Sequence, residues 1–475
     1  MLIVRNLLTD NYLLVIFFNT ELPWGVFMKN FVIIFICGLL LISCSTFKKV
    51  EDMKFPEKGG ALISNFTENS VLEKAGARKN DVLWKYNGII VESSEHLGVL
   101  KSEVKSDMVE VEIYRKGELK VMQIPAGKIG VYLMPIPRKS SIDNDAVMIE
   151  GIGKLDWSMG MDNTFFGSLM RIEEQKGQGL GYEDLMVLSG YGFRTSFFDG
   201  WCLSSPDAAC GFNSGAEILS KLGYDYEFIY LDVADNCEKD SLAKYLNEAE
   251  MMTEIKSSID EGLPLIAIDL IQMPEWGVIT GYQKDGRELL CRTYFDQSEG
   301  YEIAQKMPFA IVRIHSKKEV DIAPLYPAAL KLAKTLYETE RYDNYTNGIF
   351  AIDTWLEHLK NPEILKAATA EEFAEMSLAN TWTYYCLVGS RAITSSYLAD
   401  NKGKFETDEA LLSELSVIYQ KEADILKEGF EYLAPLQGSA TPETWTAEMR
   451  SHEILTLEEF RNLELHAQQL LSALN

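Results

Sequence analysis

The spacing of apolar residues changes period along the chain, and that change limits what each stretch can become. Between residues 58 and 128, runs such as Val109 to Tyr114 alternate apolar with polar, the period of a strand with one buried face. From residue 322 onward apolar residues recur every three or four, most regularly through Leu457, Phe460, Leu463, Ala467, Leu470 and Leu474. That is the period of a helix burying one stripe. Separate blocks of the two periods predict a multidomain α+β protein rather than one layered core. The length of 475 residues agrees, being too great for one ordinary core.

The start of the chain reads as export machinery. Met28-Lys29-Asn30 precedes an apolar run from Phe31 to Ile42, which closes on Leu41-Ile42-Ser43-Cys44. A basic start, a short apolar stretch and a small residue before a cut are the physics of a signal peptide. The run is shorter than the ~20 residues a spanning helix needs. Residues 28–44 are therefore read as a signal peptide and 45–57 as a polar tether. Residues 1–27, broken by Pro23 and Trp24, are expected to lie upstream of a true initiator at Met28. The closing tetrapeptide resembles the lipobox of bacterial lipoproteins. The resemblance implies cleavage before Cys44, a lipid on Cys44, and a chain anchored to a membrane of the cell envelope, on its periplasmic side.

Net charge is −26 at pH 7, which repels phosphate backbones and argues against nucleic acid as a partner. Among seven cysteines there is no CxxC pair and no zinc spacing, so neither metal nor cofactor is expected. Cys37 and Cys44 lie in the export segment, and an odd five remain, which excludes a complete disulfide framework. Cys202 and Cys210 can be read as a bridged pair or as free thiols.

Residues 58–128 alternate strands and turns. Ala61 to Phe66 and Asp81 to Tyr86 read as strands, the second ended by the turn pair Asn87-Gly88. A short helix closes at Gly76, and Ser94 to Leu100 predicts another. The segment NSVLEKAGARKNDVLWKYNGIIVESSEHL resembles the bacterial PDZ signature. The resemblance implies a module that binds peptide or protein C-termini by strand addition. Carried over by position, Gly59 and Gly60 form the carboxylate loop, Ala61, Leu62 and Ile63 the edge strand, and His96, Leu97 and Leu100 the opposite wall.

Residues 140–320 read as helices followed by an antiparallel sheet meander. A helix is expected to begin near Asp162, with Asp162 as its cap, and strands at 264–271, 276–282, 288–294 and 310–314. Gly177, Gly179 and Gly181 follow a helix, so a dinucleotide loop fails its context. The segment EGLPLIAIDLIQMPEWGVITGYQKDGRELLCRTYFD resembles the second half of a C39-like, papain-related domain, similar also to the butirosin-biosynthesis acyltransferase-like family. That resemblance implies a cysteine at the helix start, a histidine early in the strand at 276–282 and an orienting residue one strand later. Here the helix start holds Asp162-Asn163-Thr164, the strand opens with Trp276-Gly277, and Asp296 alone has a matching type. Thiolate catalysis needs a base within reach, so no catalytic residue is assigned. Asp162, Asn163, Trp276 and Asp296 are kept as a candidate ligand pocket.

Residues 322–475 read as an all-α helical bundle, resembling the helical extension of the same family. Trp355, Tyr384 and Tyr385 are expected in its core. Arg391, inside an apolar helix, requires a carboxylate or ligand partner. Two functions follow. The first is an envelope lipoprotein that binds peptides and carries a non-catalytic C39-like domain. The second is a cysteine-type peptidase or acyltransferase with a rearranged site.

Overall fold

Three sheets and a helical C-terminal region make up the computed structural model. It describes residues 60–475 apart from 67–69, 92–93, 116, 128, 136–141, 178–179, 233–242, 272–273, 297–299, 362, 364–367, 438–439 and 474–475. Cys44 and Gly59 lie outside the described residues. Among the described residues no helix is long and apolar enough to cross a membrane.

The first sheet takes β1 (Ala61–Phe66), helix α1 (Val71–Lys74), β2 (Val82–Tyr86), β3 (Ile89–Ile90), helix α2 (Ser94–Glu103), β4 (Met108–Arg115), β5 (Glu118–Pro125) and β6 (Val131–Pro135). The strand order is β5-β4-β2-β1-β6, with β3 on β2 and every pairing antiparallel. Ser70 caps α1 through Glu73 N–H and donates to the Ile129 carbonyl at 3.0 Å, which ties the helix to the β6 approach. Asn87 and Gly88 both have positive φ, as the tight hairpin turn requires. Asp81 is 2% exposed and held bidentately by Arg115 at 2.6 and 2.7 Å.

The second sheet is built from β7 (Val147–Met148), α3 (Thr164–Gln175), α4 (Tyr182–Leu188), β8 (Ser196–Phe198), α5 (Ser214–Lys221), β9 (Tyr224–Leu231), β10 (Lys244–Leu246), α6 (Glu248–Asp260), β11 (Leu265–Ile268), β12 (Trp276–Gln283), β13 (Glu288–Arg292), β14 (Glu302–Ile303) and β15 (Ala310–Lys317). Its order is β10-β9-β15-β11-β12-β13-β14, with β7 on β12, while β8 joins a smaller sheet. The expected meander holds from β11 to β14 only. β15 returns between β9 and β11, and β10 runs parallel to β9. Ala310, Ile311 and Val312 are apolar and buried in succession, so this segment needs cover on both faces and a central place. Asp162 does not cap α3. Asn163 does, its Oδ1 accepting from Phe166 N–H.

The C-terminal region comprises α7 (Leu325–Glu338), β16 (Arg341–Tyr342), β17 (Tyr345–Asn347), α8 (Ile349–Lys360), α9 (Ala370–Asp400), α10 (Glu409–Leu433) and α11 (Ala447–Ala473). β16 and β17 pair with β8, so this region shares a small sheet with the middle of the chain. The last helix starts at Ala447, ahead of the expected Leu457, because Glu453 is buried on Asn380 and Trp445 instead of facing water.

Candidate functional site

Two places bring predicted site residues together. In the first sheet β1 is not an edge strand. β2 pairs it on one side and β6 on the other, and Ala61, Leu62 and Ile63 are at most 2% exposed. Gly60 N–H donates to the Val91 carbonyl at 2.6 Å, so that amide is already engaged. Leu97 and Leu100 are buried in the core, and His96 is half-buried. β1 therefore has no free edge to offer a peptide. β6 is one of the two edges of this sheet and among the described residues pairs with β1 alone, as β5 at the other edge pairs with β4 alone. Gly130 leads into β6 with φ +74°, and Val131 and Leu133 lie half-buried against the same core as Leu97 and Leu100. The apolar–glycine–apolar triplet Ile129-Gly130-Val131 is the sequence signal for this edge.

The second place is the start of α3. Thr164 Oγ1 donates to Glu275 at 2.8 Å and accepts from Trp276 N–H at 3.2 Å. Trp276 Nε1 donates to Asp207 at 2.8 Å, and its ring meets Phe165 edge-on at 5.1 Å. Asn163 N–H donates to the Tyr182 hydroxyl at 2.8 Å. Tyr385 of α9 hydrogen-bonds Asp162. Trp276, 4% exposed, opens β12 with its ring in the core. Asp162, Asn163 and Trp276 thus converge, together with Asp207, Glu275 and Tyr385, which no motif or period in the sequence marks as site residues. Asp296 is occupied apart from them, by Arg292 at 3.1 Å and Thr293 N–H at 2.8 Å.

Burial sets the charge state here. It pushes Asp162 up to about 6 and Glu275 up to about 7, and raises Asp207 above the usual carboxylate range. Burial also holds the Cys386 thiol well above its ordinary value and pushes Cys210 up to about 12. Cys202 and Cys210 are free thiols, and Tyr345 hydroxyl lies 3.8 Å from Cys202 Sγ. None of the hydrogen bonds described at this cluster involves a histidine. His315 is exposed on β15, His358 packs on Phe197 and Trp201, His452 stacks on Tyr432, and His466 pairs with Glu414. Burial outweighs the nearby Arg194, so the Cys210 and Cys386 thiols stay protonated and are poor nucleophiles. Among the described residues no group of three or more metal-ligating side chains is placed to hold an ion. The sequence matches no known protein-family model and no curated protein.

Proposed function

We propose that the chain is a lipid-anchored protein of the bacterial-type cell envelope that takes up extended peptide segments along its first sheet. The observation that carries this is the open β6 edge, entered through Gly130 and flanked by half-buried apolar side chains. An unpaired strand offers a row of N–H and C=O groups, and a peptide supplies the matching row. On a PDZ-like reading of residues 58–128, extended at its end by β6, the Ile129-Gly130-Val131 turn stands where backbone N–H groups hold a terminal carboxylate. The middle region, read as a C39-like scaffold, then serves as a second binding element without thiolate chemistry. Its nearest thiol, Cys386, is held protonated, and its acids lack a histidine. Anchorage follows from the lipobox-like Leu41-Ile42-Ser43-Cys44.

A library of peptides with free C-termini, presented to the full chain, tests the reading. Enrichment of apolar C-termini is expected. Gly130→Val, which puts a β-branched residue at φ +74°, should weaken binding by about tenfold or more. No enrichment, or enrichment that this substitution leaves unchanged, removes β6 from the proposal.

A further inference from the structure

Four half-buried aromatic rings line up over the start of α3. Trp157 meets Tyr294, Phe295 and Trp382 at centroid distances of 4.8, 6.0 and 6.4 Å. Trp382 stacks on Tyr385 at 5.4 Å and 18°. Tyr294 lies beneath, 3% exposed. Its hydroxyl occupies the space that a side chain at Gly167 would take, since a Cβ there would stand 1.7 Å away.

Two buried polar atoms of this floor have no hydrogen-bond partner, Asp162 Oδ1 and the Tyr294 hydroxyl. Glu275, half-buried, takes a side-chain hydrogen bond from Thr164. Among the described residues no lysine or arginine forms an ion pair with Asp162, Glu275 or Asp207. Two guanidinium groups act electrostatically on the floor, Arg194 on Asp207 and Arg171 on Tyr294; their terminal nitrogens bond elsewhere, while Arg171 Nε has no hydrogen-bond partner. Arg171 pairs with Glu174 at 2.6 Å, and Arg194 donates to the carbonyls of Cys210, Phe212, Ser205 and Asp207. The other titratable groups facing the floor are Tyr182 from α4, Tyr385 and Cys386 from α9, and Asp207.

We propose that this floor and its aromatic rim bind a ligand bearing a protonated amine. An ammonium group supplies what the floor lacks, N–H donors for Asp162 Oδ1 and Glu275 and a positive charge among acids. The faces of Trp157, Trp382 and Tyr385 attract the same cation through their ring quadrupoles. An anion would face Asp162, Glu275 and Asp207, and an apolar ligand would leave the unpartnered oxygen as it is, at the cost of a buried unmade hydrogen bond. The charge of −26 draws cations toward the molecule. Asp162 and Glu275 must give up their protons to pair with the cation, so binding releases protons and strengthens as pH rises through the range in which they titrate. The site is separate from the β6 edge, and either can fail without the other.

Calorimetry on the full chain with butylammonium, and with butanol as its uncharged counterpart, tests the proposal. Butylammonium is expected to bind at least about tenfold more tightly than butanol, with a heat that varies with the buffer's ionisation heat, and more tightly at about pH 8 than at about pH 5. Short peptides with free or acetylated N-termini separate the sources of the amine. If only the free-amine peptide binds beyond butylammonium, the ligand is a peptide terminus; if both fall below it, the ligand is a small amine. Asp162→Asn should abolish ammonium binding, and Trp382→Leu should weaken it about threefold or more. Equal binding of butanol overturns the proposal, as does unchanged ammonium binding in both variants. Should Asp162→Asn lose its fold by circular dichroism, Trp382→Leu decides alone.

Discussion

The Arg391 cluster and the α3 floor both hold acidic groups away from water and partner them differently. In the helical region Arg391, Glu422 and Glu464 are all 0% exposed, and the guanidinium reaches both carboxylates, Glu422 at 2.8 Å. It also donates to Thr195 Oγ1 and the Gly192 carbonyl at 2.7 Å, so α9, α10 and α11 are tied to the 192–195 segment of the middle region. At the α3 floor Asp162, Glu275 and Asp207 have only neutral neighbours to bond, and burial answers by raising their affinity for protons. Glu453 takes the second course inside the helical region itself. It accepts from Asn380 at 2.6 Å and Trp445 at 3.2 Å, and burial pushes it up to about 8. Contact with a cation is not enough by itself: burial and the neighbouring Glu464 still push Glu422 well above the usual carboxylate range, against the pull of Arg391.

Removing that cation is the severest way to break the contrast. Arg391→Met leaves two carboxyl groups buried without a counter-charge and should cost about 3–5 kcal/mol in urea denaturation. Adding Glu422→Gln and Glu464→Gln should return part of it. A loss below about 1 kcal/mol would mean that these acids are already neutral, like those of the α3 floor.

A smaller effect sharpens the other side. Gly167→Ala drives a methyl group into the Tyr294 hydroxyl and should destabilise the chain by about 1–3 kcal/mol. Tyr294→Phe in the same chain removes the clashing atom along with a hydroxyl that has no partner, and should recover most of the loss. Equal losses in the single and double variants would show that the ring, and not its hydroxyl, fills the space.

The mildest test varies pH. Asp162, Glu275 and Glu453 all hold their protons more tightly folded than unfolded. The folded state is then the better proton binder, so their contribution is complete below the unfolded values near pH 4 and is lost as pH rises through about 6 to 8. Thermal stability is expected to fall across that range by on the order of 1 kcal/mol per group. Glu453→Gln should flatten part of the slope while costing less than about 1 kcal/mol at neutral pH. A slope of opposite sign would place cations at these acids.

What the sequence makes legible follows the range of the physics involved. An arginine inside an apolar helix demands a partner wherever that partner comes from, so Arg391 is conspicuous from its neighbours in the chain alone. Periodicity locates most strands and helices to within a few residues. That β6 and not β1 stands at an edge is hidden, because neighbour order depends on pairing between distant segments and not on local pattern. Asp162 and Asn163 are both capping types, and only geometry chooses between them. Tyr384 and Tyr385 are adjacent letters on different faces of α9. Tyr384 packs on Trp355 in the core at 4.9 Å, as expected, whereas Tyr385 reaches Asp162. Trp157 sits in a single turn, 157–159, too short to carry a period at all.

The position of β15 has a consequence for how the chain acquires its form. As synthesis proceeds, β9 and the hairpin of β11 and β12 exist before the strand that joins them, and each exposes an unpaired row of backbone groups toward the gap. The sheet becomes continuous only when residues 310–317 arrive and slot between their neighbours. Such late, distant pairing is slow to nucleate and leaves sticky edges open meanwhile. A nascent chain halted just short of residue 310 should therefore depend on helper proteins far more than one halted just after 317, and the vulnerable interval in its biogenesis is set by one returning strand.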